Sequence, residues 1–153
     1  MEPVPIELVG QWLQNLLGSD LVNRLVAADA THVSLNSEDA ELKKIMPWAG
    51  TSHCRQAFLD HLGTMFTRWE NEAFNATAMF ASEENIAVFA DFRYKSNSLG
   101  KCVCSQFSIL VKVVDDKVTH LQFLEESYAT AASFRKNGSW TVQTEPGAEP
   151  VGV

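Results

Sequence analysis

The side chains best suited to chemistry begin with His32, in the segment 31–36 that reads Thr-His-Val-Ser-Leu-Asn. This alternation of polar and apolar residues predicts a β-strand in which His32, Ser34 and Asn36 share one face. An imidazole can take or give a proton near neutral pH. His32 is therefore a candidate catalytic proton carrier, and Ser34 shares its face of the strand. The alternative is a histidine satisfied by a nearby hydroxyl or backbone group.

Glu125 is the second candidate, because it shares strand parity with Leu121 and Phe123 and so falls on an apolar face. A carboxylate there has its pKa raised by desolvation unless it is paired. The face depends on the preceding turn, since a two-residue turn at Asp115–Asp116 and a longer one predict opposite registers. The alternative role for Glu125 is that of a rim residue bound to Tyr128 or to the terminal helix.

Asp91 is the third candidate and lies two residues from Arg93, on one strand face with Phe89. Such a pair is usually a structural ion pair on the surface, where it contributes roughly 0–1 kcal/mol. A catalytic role for Asp91 would require this face to line a cavity.

The elements that position these residues follow from their periodicity. Helical spacing predicts helices over 6–17 and 21–26, a short turn at 41–45 and a longer helix after a Thr51-Ser52 cap. A period of two predicts strands at 73–81, 86–95, 101–114 and 118–126, followed by a short helix at 130–136. The order predicts an α+β fold with helices on one face of an antiparallel sheet.

Composition limits the class of protein. The 153 residues are 46% hydrophobic and 20% charged, which predicts one globular domain over 1–142. The segment 143–153 holds two Pro and two Gly and is predicted to be a disordered tail. The net charge of -7 and the absence of a basic run argue against nucleic-acid binding.

Several other partners are not expected. No apolar stretch reaches the roughly 20 residues of a membrane span, and the first residues do not form a secretory signal, so a cytoplasmic protein is expected. The cysteines Cys54, Cys102 and Cys104 are predicted to be free thiols that are buried as small apolar groups. The sequence contains no metal-binding spacing and no phosphate-binding glycine loop, so neither a metal nor another cofactor is expected.

Three local phrases, in this order of elements, resemble the nuclear transport factor 2-like superfamily. They are Ala27–Thr31, Pro47–Thr51 before a helix, and Asp116–Val118 leading to Glu125–Tyr128. The resemblance covers about residues 6–136, on the branch of ketosteroid isomerase and the SnoaL-like polyketide cyclases. It implies a cone-shaped barrel in which a curved antiparallel sheet wraps around three N-terminal helices and leaves an apolar cavity open at one end.

The resemblance also assigns residues to the cavity. The position of the ketosteroid isomerase base falls on Ser34, and its buried oxyanion-hole acid falls near Leu110, so neither residue can do that chemistry. In the limonene-epoxide-hydrolase-like branch one carboxylate falls on Asp91, whereas Phe89 and Phe123 replace the other two members. Both of these mechanisms are therefore disfavoured.

The implied cavity has further contacts. Trp48 and His53 are placed near its opening, and Phe89, Phe107 and Phe123 are placed with them as ligand-binding residues. His32 and Asp91 would then form the catalytic pair.

Two functions follow. The first is cofactor-free acid–base chemistry on an apolar, ring-containing small molecule, such as isomerisation, cyclisation, dehydration or hydration. The second is a non-catalytic ligand-binding or protein-interaction module. The outward parity of Cys104, Gln106, Ser108 and Leu110, beside that of 120, 122 and 124, also predicts a homodimer through the outer face of the sheet.

Overall fold

The protein is described by a computed structural model, which covers residues 6–15, 18–35 and 38–153. The helices and strands follow one another in the order α1 (Ile6–Gln14), α2 (Ser19–Leu25), β1 (Val26–Ser34), α3 (Ala40–Ile45), β2 (Gly50–Ser52), α4 (Arg55–Arg68), β3 (Trp69–Ser82), β4 (Asn85–Ser96), β5 (Cys102–Val114), β6 (Lys117–Glu125), α5 (Ser127–Ala132), β7 (Thr141–Val142) and β8 (Val151–Gly152).

One curved sheet of six strands, in the order β2-β1-β6-β5-β4-β3, organises the molecule. Strands β3 to β6 form the predicted antiparallel meander, whereas β1 runs parallel to β6. The α+β class is confirmed. The expected barrel is not closed, because β2 and β3 remain edge strands that do not pair with each other.

Strict alternation gives the meander an inner and an outer face. In β4 the buried residues include Val88, Ala90 and Phe92, and in β5 the buried residues include Phe107 and Ile109. Because successive side chains of a strand point to opposite sides, the residues between them face away from the helices.

The core lies between the inner face and the helices α1, α2 and α4. It contains three fully buried indoles, Trp12, Trp48 and Trp69, together with Phe58 and Leu62 of α4. Trp69 packs against Trp48 with ring centroids 5.0 Å apart. These large aromatic side chains hold α4 and the loop before β2 against the sheet.

The terminal helix lies at Ser127–Ala132 rather than at 130–136, and the strand predicted at 73–81 is longer, Trp69–Ser82. Two further boundaries near the site also differ from the prediction. The first strand begins at Val26, so the Ala-rich segment 27–31 is strand rather than turn, and Asn36 lies outside the described residues. Thr51 and Ser52 do not cap the long helix, because they pair with β1. The thiol of Cys54 caps α4 instead and accepts a hydrogen bond from the Ala57 amide at 3.3 Å.

The last eleven residues were predicted to be a disordered tail. In the structure, residues 143–150 instead connect β7 to β8, which pair as a short hairpin. Trp140 and Val153 exchange backbone hydrogen bonds of 2.8 and 2.9 Å, and Gly147 takes the left-handed conformation in the connection. No helix in the described ranges is long and apolar enough to cross a membrane.

Candidate functional site

A cavity lies between the inner face of the sheet and α4, and its volume is about 30 Å³. Its wall combines aromatic side chains with a few ionisable ones: His32, Ser34, Trp48, His61, Leu62, Met65, Phe74, Phe92, Tyr94, Phe107, Phe123 and Glu125. Six of the nine residues that the sequence places at the site therefore lie together. They are His32, Ser34, Trp48, Phe107, Phe123 and Glu125.

His32 is buried at one end of this cavity. Its ring contacts Phe58 edge-on at 4.9 Å and Phe123 at 5.7 Å. Neither ring nitrogen has a hydrogen-bond partner among the described residues. Burial among these rings lowers the pKa of His32 to about 4, and the neighbouring His61 and His120 add to the effect. At neutral pH His32 is thus a neutral imidazole with one donor and one acceptor available.

His61 brings a second imidazole to the same end, and the sequence analysis had not assigned it a role. Its ring centroid lies 6.1 Å from that of His32, and its Nδ1 is buried without a partner in the described part of the chain. The signal was its position on α4, three residues after Phe58 and next to Leu62, where the helix faces the sheet.

Glu125 supplies a carboxyl group farther along the cavity. Strand β6 turns it inward beside Phe123, and its backbone pairs with that of Phe107. Burial raises the pKa of Glu125 to about 7. No cation among the described residues forms a salt bridge with it. Both protonation states are therefore accessible near neutral pH.

Tyr94 is a further polar group that the sequence analysis missed. It shares the inner face of β4 with Phe92, and the two rings stack at 4.2 Å. Burial raises the pKa of its phenol, and the nearby Glu125 raises it further. Tyr94 consequently remains a neutral phenol that can donate a hydrogen bond.

The sheet register separates the two ionisable ends of the cavity. His32 lies opposite Leu121, and Ser34 lies opposite Phe123. Glu125 is four residues beyond Leu121, which corresponds to about 13 Å along a strand. A proton could therefore be handled at one end of a bound molecule while the imidazoles contact its other end.

Trp48 closes one side of this space. Its indole Nε1 is buried and has no partner among the described residues, whereas the indole of Trp69 donates to the Ser133 hydroxyl at 3.0 Å. An indole nitrogen can only donate, so an oxygen acceptor on a ligand would satisfy Trp48.

Asp91 and Phe89 do not reach the cavity, so the expected catalytic pairing of His32 with Asp91 is wrong. Both face outward from β4, where Asp91 accepts a hydrogen bond from Asn75 at 3.2 Å and Phe89 is 49% exposed. The inner face of this strand is formed by the residues between them. Arg93 is also outward and pairs with Glu72 at 2.6 Å rather than with Asp91.

His53 is likewise not part of the cavity. It is exposed in the bend before α4, with its Nδ1 3.5 Å from the Thr31 hydroxyl. The cause is the shift of the helix start from the predicted Thr51-Ser52 cap to Cys54. Among the residues that the structure describes, no three His, Cys, Asp or Glu side chains are arranged to hold a metal ion.

Two curated proteins are similar to this chain along most of its length. Patulin synthesis protein F of Aspergillus clavatus is 32% identical over 123 residues, which cover 78% of this chain and 62% of that protein. Patulin biosynthesis cluster protein F of Penicillium expansum is 30% identical over 146 residues, covering 92% of this chain and 73% of that protein. The chain thus spans less than two thirds of the first relative's length. No family model matches it.

Solved structures give the fold at lower sequence identity. A nuclear transport factor 2-like protein from Burkholderia thailandensis superposes with a TM-score of 0.71 at 12% identity, over 86% of this chain and 98% of that one. A protein of ketosteroid isomerase-like fold from Catenulispora acidiphila, in complex with trimethylamine, superposes with a TM-score of 0.67 at 15% identity, over 84% of this chain and 92% of that one. A SnoaL-like protein from Mesorhizobium loti superposes with a TM-score of 0.61 at 14% identity, over 76% of this chain and 95% of that one. These neighbours confirm the fold that the resemblance implies.

Proposed function

The chain belongs to the family of patulin biosynthesis cluster protein F, and we propose that it is an enzyme of a small-molecule biosynthetic pathway. Its substrate is a mostly apolar molecule built on a ring, which it converts by acid–base chemistry without a cofactor. This proposal covers isomerisation, cyclisation, dehydration and hydration, each of which needs a proton to be taken from one atom and given to another; dehydration also releases a water molecule, and hydration consumes one.

One observation carries the proposal. Glu125 and the imidazoles of His32 and His61 line the same aromatic-walled cavity without any salt bridge among the described residues, and three imidazole nitrogens there lack a partner in the same part of the chain. A buried polar group without a partner costs about 1–3 kcal/mol, which a bound molecule with suitably placed oxygens would recover. Structural ion pairs or hydrogen bonds would not leave these groups free.

The roles divide according to pKa. Glu125 moves the proton, because a general acid or base is most effective when its pKa lies near the working pH and that of Glu125 is about 7. His32, with a pKa of about 4, remains neutral and donates a hydrogen bond to an oxygen of the substrate. His61 holds the same oxygen or a neighbouring one. This division replaces the expectation that His32 carries the proton.

The reaction then runs in two balanced steps. The Glu125 carboxylate takes a proton from a substrate carbon that is conjugated through the ring system to a carbonyl group at the other end of the molecule, and the negative charge that develops on this distant oxygen is stabilised by the neutral imidazole N–H. The resulting carboxylic acid returns its proton either to another carbon, which isomerises the substrate, or to a departing hydroxyl, which releases water.

A protein that binds the same molecule without converting it is the second candidate. Ser34 stands where the resemblance places the general base of ketosteroid isomerase, and a hydroxyl cannot replace a carboxylate in that role. The apolar walls would then serve to carry the ligand rather than to activate it.

The test is genetic and chemical. Deletion of the gene in the organism that carries it should cause one ring-containing small molecule to accumulate, as measured by mass spectrometry of culture extracts. The purified wild-type protein should then consume that compound in vitro. Replacement Glu125→Gln should slow this consumption by about 10²–10⁴-fold, the usual contribution of a general acid or base.

The neighbouring carboxylate provides a matched control. Glu126 is exposed and does not line the cavity, so a gene for Glu126→Gln returned to the deletion strain should restore the wild-type metabolite profile. Consumption by Glu125→Gln at the wild-type rate would contradict the assigned chemistry. Tight binding of the accumulated compound without conversion would favour the second candidate.

We also propose that the protein is a cytoplasmic homodimer. The outer face of the sheet carries the exposed side chains of Phe80, Phe89, Leu110 and Leu124. Phe89 and Leu124 flank Ser108 in adjacent strands, so these residues form a continuous apolar patch that a second copy could cover. The three cysteines are free, but they are exposed rather than buried as expected, and free exposed thiols suit a reducing compartment.

A further inference from the structure

The buried cavity is separated from a large surface groove by two aromatic rings. The groove lies between α3, α5 and the C-terminal hairpin, and its volume is about 750 Å³. Phe134 lines the groove, and Trp48 lines the cavity. Their ring centroids are 6.1 Å apart and the rings meet edge to face, so this pair forms the wall between the two spaces.

The size of the cavity requires part of its wall to move. A volume of about 30 Å³ is enough for one or two water molecules, whereas a cavity of about 150 Å³ accommodates benzene. A ring-containing molecule can therefore enter only if at least one lining side chain is displaced. This step rests on the proposed function, which places such a molecule in the cavity.

Most of the wall is poorly suited to such movement. Phe92 and Phe107 belong to strands that are hydrogen-bonded on both sides. Trp48 is a lining residue outside the strands, and its ring is held by Trp69 and by Phe134. Phe134 can release it, because Phe134 follows the end of α5 and is only partly buried. Four residues later, Gly138 has a φ of 98°, so the backbone there adopts a conformation that favours glycine.

Few interactions hold Phe134 in place. Its ring stacks on Trp69 at 5.1 Å, the adjacent Ser133 hydroxyl accepts the hydrogen bond of the Trp69 indole, and the carbonyl of Arg135 accepts one from Lys101. All of these contacts lie outside the ladder of the sheet, so their loss would leave the remaining walls of the cavity intact.

We propose that Phe134 is the gate of the cavity, that the groove is its entrance, and that this side chain sets the size of the ring that the site admits. When Phe134 turns away, Trp48 loses the ring contact on its groove side and can follow, which joins the cavity and the groove into one continuous space. The aromatic side chains of Tyr128 and Trp140 pack against each other at 5.5 Å in the groove and are not part of the gate.

Thiol labelling tests the gate without any knowledge of the substrate. In a protein with Cys54, Cys102 and Cys104 replaced by Ser, a single thiol is introduced into the cavity by Ser34→Cys. The probe is dithiodipyridine, a reagent of two aromatic rings whose reaction with thiols is followed by absorbance. Phe134→Ala should raise the labelling rate about tenfold, because the closed wall loses its ring contacts.

Two controls separate gating from general loosening of the fold. Tyr128→Ala removes an aromatic side chain of the groove that is not in contact with Trp48, and it should change the rate less than twofold. In a second reporter, Val118→Cys places the thiol in the core away from the groove. The thiol of Val118→Cys should be labelled equally slowly whether position 134 carries Phe or Ala.

Three outcomes would overturn the proposed gate. Phe134→Ala could leave the labelling rate of Ser34→Cys unchanged, or raise the labelling rate of Val118→Cys by the same factor. Tyr128→Ala could also raise the labelling rate of Ser34→Cys as much as Phe134→Ala does. These results are independent of catalysis. If the gate fails while Glu125→Gln still abolishes turnover, the proposed function stands and the entrance lies elsewhere. If the gate holds while Glu125→Gln is fully active, the acid–base chemistry is wrong.

Discussion

The imidazole of His32 and the carboxyl group of Glu125 respond to pH in opposite directions. Stability rises with pH wherever the unfolded state binds more protons than the folded state. His32 is protonated below about pH 6.5 in the unfolded chain but only below about pH 4 in the folded protein, so acidification from pH 6.5 to pH 4 destabilises the protein. Glu125 is deprotonated above about pH 4.5 in the unfolded chain but only above about pH 7 in the folded protein, so a rise in pH from 4.5 to 7 destabilises the protein.

Replacement of Glu125 by Gln should remove the contribution of Glu125 to the pH dependence of stability. The free energy of unfolding of Glu125→Gln relative to wild type should increase from pH 4 to pH 8, by at most about 3 kcal/mol for a pKa displacement of this size. Urea unfolding at the two pH values measures it. Glu126→Gln is the control and should show the wild-type pH dependence; the same dependence in Glu125→Gln would mean that Glu125 titrates as an exposed carboxyl group.

His32 itself can be titrated by NMR. Its pKa should lie well below the ordinary 6.5. His61→Gln should raise it, because the electrostatic effect of His61 on His32 is removed, while the larger depression from burial remains. Asp91→Asn should leave it unchanged, since Asp91 lies on the other face of the sheet. A decrease in the pKa of His32 in Asp91→Asn would contradict the observed orientation of β4.

At the scale of the element, the turn between β5 and β6 and the bulge beside it decide which side chains reach the cavity. Asp115 and Asp116 both have positive φ, 49° and 58°, which is the backbone of a two-residue type I′ hairpin. The turn is therefore the shorter of the two that the sequence left open, but the register shifts between Lys112 and Val113, and this shift places Phe123 and Glu125 on the inner face. Without the shift the same turn would have placed them on the outer face.

Because glycine adopts positive φ without steric cost, Asp116→Gly should stabilise the protein. We expect the free energy of unfolding to rise by about 0.5–1 kcal/mol, as measured by urea denaturation. Asp116→Val should lower it, since a β-branched residue is strained in this conformation. Destabilisation by the glycine would indicate that the aspartate side chain makes an essential contact in the turn.

The strands of the meander could be predicted because their alternation is regular, and the fold followed from their order. The face of β4 was predicted wrongly, because Asp91 was assigned by resemblance to a catalytic strand pair. The strand's own pattern, with Val88, Ala90, Phe92 and Tyr94 alternating, indicates the inner face correctly. Local periodicity was more reliable here than a motif of which two members are missing.

His61 shows what sequence alone left out of the site. A histidine beside the apolar stripe of a helix can face either solvent or the core, and only the packing of α4 on the sheet decides between them. The same holds for the missing partners of His32, because whether a buried nitrogen finds a hydrogen bond depends on tertiary contacts. Sequence therefore identified six lining residues but not the pairing of the two imidazoles.

At the scale of the whole molecule, the open sheet exposes an apolar outer face. If a second copy covers it, sedimentation at micromolar concentration should give twice the 17.0 kDa of one chain. Leu124→Arg should convert the dimer to a monomer, because it places an unpaired cation in the interface. Val151→Arg, at an exposed apolar residue of the C-terminal hairpin, should leave the dimer intact. A wild-type monomer would exclude the proposed assembly.

The parallel pairing of β1 with β6 has a consequence for synthesis on the ribosome. The two strands lie roughly ninety positions apart in the chain, so β1 emerges about 5–20 seconds before its partner exists. During that interval the edge of β1 that will pair with β6 has only water or chaperones to bind. A chain that ends at residue 116 should therefore be cleaved by proteases within β1, where the complete chain resists them. Protection of β1 in the shorter chain would show that the helices and β2 hold this strand alone.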